Sequence, residues 1–138
     1  MKTSEISKIV GISKRTLQFY DDEGMIKVER SENNYRLYDE RTLETLWEII
    51  IYKEMGMKIG EIKQLLDATE DQKNLYLNQQ RRTIENQIIE LKVQIELILM
   101  FQKFGVPKVP LENEGVTYLE KIREIKEEIK KEILKRKK

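Results

Sequence analysis

Lys14 and Arg15 stand side by side at the front of SKRTLQFYDDEGMI, residues 13–26. Behind them come Phe19 and Tyr20, then three consecutive acids, Asp21, Asp22 and Glu23, before Gly24. Ser13 is placed to cap a helix here. Two cations in the first turn of a helix meet the positive end of its dipole and are slightly unfavourable. A helix made only to fill a core has no need of them. The chemistry this arrangement suggests is therefore recognition of something outside the chain. Composition closes off other chemistries. With no Cys and no His, the chain lacks thiol redox, thiolate metal ligands and the commonest general base. It has no Gly-rich phosphate loop, and no carboxylate pair separates from the solvated background. An enzyme is not expected, and neither is a cofactor or a metal.

The chain has 138 residues, enough for one domain or a small domain with an appendage. Charged residues make up 37%, too many for one large core. Only two prolines and six glycines point to helices. Formal net charge is +1, so bulk charge does not announce a polyanion partner. Residues 1–68 carry 11 Lys and Arg against 13 Asp and Glu. Any nucleic-acid contact must rest on where the charges sit, not on their sum. No apolar run reaches the length of a bilayer span, and MKTSEISK has no signal-peptide shape. The cytoplasm is the expected compartment.

The elements that would position the cations follow from caps and periodicity. Thr3 or Ser4 can cap a first helix carrying Ile6, Ile9 and Val10, which Gly11 ends. The second helix begins at Ser13, places Leu17 and Tyr20 on one face, and stops at Gly24. Two short helices at this spacing fit a helix-turn-helix, and equally an ordinary helical hairpin. Two short strands follow, Met25–Val28 and Tyr35–Tyr38, around a turn in which Asn33 and Asn34 tolerate positive φ. This wing exposes Lys27, Arg30 and Arg36. Asp39 caps a third helix whose inward face reads as Leu43, Leu46, Trp47, Ile50 and Ile51, with Trp47 in the core. Gly56 stops it. A fourth helix covers about 58–67, with Ile59, Ile62, Leu65 and Leu66 inward.

From about Glu70 to Lys103 the chain reads as one long helix. Ile84, Ile88, Leu91, Ile95 and Ile98 follow heptad spacing. A helix this long needs a partner, and a second copy is the simplest one. GVPKVP, residues 105–110, breaks the helix. Beyond it Tyr118, Ile122, Ile125, Ile129 and Ile133 make a second amphipathic stripe, which ends in the basic tail 135–138. That stripe is expected to pack on the end of the coiled coil, against the partner's N-terminal half, covering Phe101 and Phe104.

The fold class is thus mainly α, in three parts. Residues 1–69 hold the helix pair, the two-stranded wing and two further helices. A dimerisation helix covers 70–104, and a short C-terminal helical segment 105–138. This order resembles the MerR family of transcription regulators, a likeness that makes residues 1–69 a winged helix-turn-helix. GISKRTLQFYDDEGMI, NYRLYDERTLETL and EMGMKIGEIKQLL carry the likeness, closely over about residues 1–70 and by position alone over the coiled coil. The resemblance implies that Ser13, Lys14, Arg15, Thr16, Gln18, Phe19 and Tyr20 face DNA from a recognition helix. Arg15 would reach a guanine edge, and Lys14 and Thr16 would meet phosphates. Arg30, Asn34, Tyr35 and Arg36 would hold the wing on the sugar–phosphate backbone, and Lys58 would add a contact. Asp21, Asp22 and Glu23 would lie away from the DNA. The family commonly has Arg where this chain has Gln18, Tyr where it has Phe19, and Gly where it has Asn34.

By the same resemblance the partners are promoter DNA, a second copy in an antiparallel coiled coil, and RNA polymerase. The protein would bind a palindrome in a promoter and distort its spacer. An effector is not legible in the sequence. Soft-metal and thiol sensing lack their ligands, and residues 105–138 are few for a drug pocket. The other reading is an architectural or chromosome-tethering protein with the same DNA-binding half. The two differ in where their sites lie, between promoter elements or scattered.

Overall fold

A computed structural model describes residues 1–136. Six helices and a two-stranded sheet follow in the order α1 Thr3–Val10, α2 Lys14–Asp22, β1 Glu29–Arg30, β2 Arg36–Leu37, α3 Glu40–Glu54, α4 Ile59–Leu66, α5 Glu70–Phe104 and α6 Tyr118–Arg136. A single 3₁₀ turn, Glu112–Glu114, lies between α5 and α6. The chain forms two compact units, one from Met1 to Gln80 and one from Arg81 onward. The first three turns of α5 therefore belong with the N-terminal unit.

The N-terminal core is built from Ile6, Leu17, Leu46, Ile49, Ile62 and Leu65, all fully buried, with Tyr76 and Leu77 of α5 packed on it. Local chemistry sets most boundaries. Ser13 Oγ accepts from the Thr16 N–H at 3.1 Å, and Asp39 Oδ1 accepts from the Thr42 N–H at 2.9 Å. Thr69 and Gln72 form a reciprocal capping box that starts α5. At the end of α2, Gly24 is left-handed (φ 72°). Gly24 N–H donates to Asp21 O and Met25 N–H to Tyr20 O, the two bonds of a Schellman motif. Gly56 and Met57 end α3 in the same way, donating to Lys53 O and Tyr52 O.

Three expectations give way here. Neither Thr3 nor Ser4 caps α1: Lys2 is the capping position and offers no side-chain bond. The start of the chain lies instead along the wing, where the Met1 amine donates to Tyr38 O and the Tyr38 N–H to Met1 O, both at 2.8 Å. The wing strands are shorter and later than the sequence suggests, pairing Glu29 with Leu37 and Arg30 with Arg36. Met25 and Ile26 are core residues and not strand, because the Schellman motif folds Met25 back over Tyr20. Asn34 takes the positive φ that the tip requires (63°).

The third correction is Trp47, which is 66% exposed. The buried face of α3 is Thr42, Leu46, Ile49 and Tyr52. Two of those four are polar, so counting apolar residues alone turned the face by about one residue, roughly 100°. Thr42 is held inside because its hydroxyl lies 2.9 Å from both Asp39 Oδ1 and Lys27 O.

In the second unit α6 packs on α5. Val93 is 1% exposed, Ile133 is buried, and Ile122, Ile125 and Ile129 are half-buried. Lys130 pairs with Glu90 at 3.7 Å and Arg136 with Glu96 at 3.3 Å. Both pairs span the same sequence offset, so α6 runs in the same direction as α5. The loop 105–117 must return along the helix it has just left. The packing is within the chain, and Phe104 remains 75% exposed, contrary to the expected cover over it. Part of the basic tail, residues 137 and 138, lies outside the described residues.

Candidate nucleic-acid interface

Helix α2 divides into two faces and two ends. Leu17 and Tyr20 point into the core. On the reverse face Arg15, Gln18 and Phe19 fall at i, i+3 and i+4 and are all exposed. Lys14 and Arg15 occupy the first turn. Among the described residues neither has an intramolecular ion pair or side-chain hydrogen bond. Ser13 caps the helix, and its hydroxyl lies 2.9 Å from that of Thr16. The N-terminal end of α2 therefore presents two uncommitted cations and two hydroxyls on a rigid element. Such a helix end can supply phosphate contacts and reach base edges.

The C-terminal end of α2 is used differently. Arg36 Nε donates to Asp21 Oδ2 at 2.9 Å, and Arg36 Nη2 lies 3.8 Å from Asp22 Oδ1. The Arg36 side chain is 18% exposed, and its bond to Asp21 raises its pKa further above the ordinary value. Lys63 of α4 pairs with Glu23. All three acids are thus tied to other elements, two to the wing and one to α4.

The wing carries exposed Arg30, Asn34 and Tyr35. Arg30 Nη1 donates to Asn34 O at 3.2 Å and stiffens the tip. Lys58 is exposed at the start of α4, where its N–H donates to Glu61 Oε1 at 3.2 Å. Of the residues expected at DNA, two are wholly or largely covered. Tyr20 is 2% exposed and belongs to the core, because it shares its helical face with Leu17. Arg36 is turned toward α2. The remaining ten, Ser13, Lys14, Arg15, Thr16, Gln18, Phe19, Arg30, Asn34, Tyr35 and Lys58, lie at the surface of the N-terminal unit. Lys2 was missed. Its ammonium sits 5.9 Å from the centre of the Tyr35 ring, beside the wing. No local signal marks it, since its partner lies 33 residues away.

No groups of His, Cys, Asp and Glu able to hold a metal occur among the described residues. No helix of the described residues is long and apolar enough to cross a membrane.

Comparison with known proteins agrees with this geometry. Residues 1–69 match the family model described as MerR HTH family regulatory protein. The Multidrug-efflux transporter 2 regulator of Bacillus subtilis is 37% identical over 99 residues, covering 70% of this chain and 36% of that protein. The chain thus spans little more than a third of the length of that relative. The N-terminus of the Bacillus subtilis multidrug transporter activator, MtaN, aligns with a TM-score of 0.68 and 27% identity, covering 74% of this chain and 97% of that one. HiNmlR, a MerR family regulator lacking the sensor domain and solved on promoter DNA, aligns with a TM-score of 0.53 and 26% identity, covering 80% and 98%. With half the chain matching the family model and the fold shared with these regulators, the protein belongs to the MerR family of helix-turn-helix regulatory proteins.

Proposed function

We propose that the protein is a dimeric, sequence-specific transcription regulator that binds a palindromic promoter operator and distorts the spacer to control RNA polymerase. The observation that carries this reading is the partition of charge along α2. Its two cations are uncommitted at the end a recognition helix presents to the major groove. Its three acids are all neutralised at the other end. HiNmlR, bound to promoter DNA, supports the same reading. It would place the protein at the nucleoid in the cytoplasm.

Dimerisation is supported by what α5 leaves uncovered. Ile84, Ile88, Leu91, Ile95 and Ile98 are 39–57% exposed. On a helical projection they centre on one side, while Val93, under α6, falls on the other. Helix α6 therefore covers the back of α5 and leaves the heptad seam open for a second copy. The groove between the two helices, about 350 Å³, is lined by Lys92, Ile95, Glu96, Ile133 and Arg136. Three of those five side chains are charged, which fits a brace better than an apolar effector pocket. We assign no effector.

The test is Arg15→Ala, with affinity measured on a duplex that the protein selects from a random pool and on a scrambled duplex. The loss on the selected duplex should be about 1–3 kcal/mol, with relaxed preference at one base position. Equal weakening on both duplexes would place Arg15 on the backbone and remove the base-reading role. A wild-type protein that selects no sequence would end the regulator reading altogether.

A further inference from the structure

The acids at the end of α2 suggest a role that contact with DNA does not explain. A cation held to phosphate should be exposed and uncommitted, as Lys14 and Arg15 are. Arg36 is neither. Its guanidinium bonds Asp21 at 2.9 Å and faces Asp22 at 3.8 Å, and its side chain is largely covered. Arg36 sits on β2, directly opposite Arg30 of β1. The tie therefore links the wing strand nearest the tip to the last turn of α2. Glu23, the next residue, ties that same turn to Lys63 of α4. The recognition helix is held at its far end from two directions.

We propose that the Asp21–Arg36–Asp22 cluster is a positioning device that fixes the wing relative to the recognition helix, so that Arg36 governs operator binding without touching DNA. The proposal rests on the DNA-binding reading above. Wing and helix must meet the duplex together, the wing on the backbone and the helix end in a groove. A wing free to swing costs conformational entropy on binding. A fixed wing meets the backbone in one register. The two-stranded wing is too small to be rigid alone. The ion pair supplies what its few ladder bonds lack.

The decisive variant is Asp21→Asn, because the two roles give opposite signs. If Arg36 contacts phosphate, removing the Asp21 charge frees the guanidinium and lowers repulsion, so affinity rises. If Arg36 positions the wing, the tie loosens and affinity for the selected duplex falls by about fivefold, the scale of a charge pair worth near 1 kcal/mol. Arg36→Ala should cause a similar fall with the salt slope unchanged, whereas loss of a phosphate contact lowers the slope by about one. The swapped pair, Asp21→Arg with Arg36→Asp in an Asp22→Asn background, should recover most of the affinity. Circular dichroism and thermal melting establish that each variant is folded, and Arg36→Lys, which keeps the charge, serves where Arg36→Ala does not fold. Tighter binding by Asp21→Asn, or a slope lowered by one in Arg36→Ala, overturns the proposal. Wild-type discrimination between selected and scrambled duplexes tests the regulator reading separately.

Discussion

Replacing both Ile88 and Ile95 with Asp is expected to convert the protein to monomers and to weaken operator binding by about 100- to 10,000-fold. The argument begins with length. Helix α5 has 35 residues and is about 52 Å long at the usual rise. Its first three turns pack on the N-terminal core through the half-buried Tyr76 and Leu77, but the stretch from Ile84 to Ile98 has no such support. That stretch is apolar on two sides, and α6 covers only the side that carries Val93. The open side holds five large aliphatic residues. Burying one such side chain contributes about 1.5–3 kcal/mol, so the seam in a dimer is strongly favourable, and two buried carboxylates would undo it. Affinity falls steeply because a dimer binds its second half-site at an effective concentration set by the first, an advantage that monomers lack. Family resemblance leads us to expect an antiparallel pair, since the heptads permit either direction. Analytical ultracentrifugation beside duplex binding decides the matter. A doubly substituted protein that still sediments as a dimer places the interface on another surface. Ile88 lies outside the groove under α6, but Ile95 lines it beside Ile133, so circular dichroism must show the doubly substituted protein still helical for the sedimentation result to count.

Sequence reading reached the local features of this protein and stopped at the nonlocal ones. Ser13 and Asp39 were legible as caps because a cap bonds within three residues of itself. Gly24 and Gly56 were legible as stops for the same reason. Lys14 and Arg15 were legible as exposed first-turn cations because an unfavourable placement on a helix dipole needs no partner to be noticed. The three acids behind them were not. Their partners, Arg36 and Lys63, lie 15 and 40 residues away, and nothing local distinguishes an acid with a distant partner from one that only faces water. The pairing of Arg36 was hidden for the same reason: a wing arginine looks free until its neighbour is known. Tyr20 was assigned to DNA through family likeness although its own spacing from Leu17 put it on the buried face. Trp47 failed through phase. An apolar stripe defines a helix face only when the buried residues are apolar, and in α3 Thr42 and Tyr52 are not. The stripe of α6 was found from its period. Its partner surface, the back of α5, could be read only from the pairing of Lys130 with Glu90 and Arg136 with Glu96.

Glu48→Ala is expected to destabilise the N-terminal unit by about 1–3 kcal/mol and to loosen the root of α5. Glu48 of α3 is a hub. Its Oε1 accepts from Tyr52 Oη at 2.5 Å and from Lys73 Nζ at 2.8 Å. Lys73 belongs to α5, so the hub ties that helix to α3. A second tie runs from Gln80 Nε2 to Met55 O at 2.8 Å. Removing Glu48 leaves the largely buried Tyr52 hydroxyl and the Lys73 ammonium without their shared acceptor. The hub also predicts a pH profile. Burial acts to raise the Glu48 pKa, but the bonds from Lys73 and Tyr52 outweigh it and hold the carboxyl below its ordinary 4.5. A depressed carboxyl contributes stability above its unfolded value and loses it as pH falls through the folded one. Burial and the Glu48 bond push Tyr52 above 10.0, and the Glu48 bond raises Lys73 above 10.5. Raised groups contribute fully below their unfolded values and lose that contribution as pH rises beyond them. Stability should therefore be level from roughly pH 5 to 10 and fall on both sides. Glu48→Ala should lower the plateau and flatten both flanks. Chemical denaturation at pH 3, 7 and 11 tests this. Flanks as steep in Glu48→Ala as in the wild type would show that other groups set the profile. Limited proteolysis near residues 78–82 gives an independent readout, because a loosened α5 root should be cut faster there.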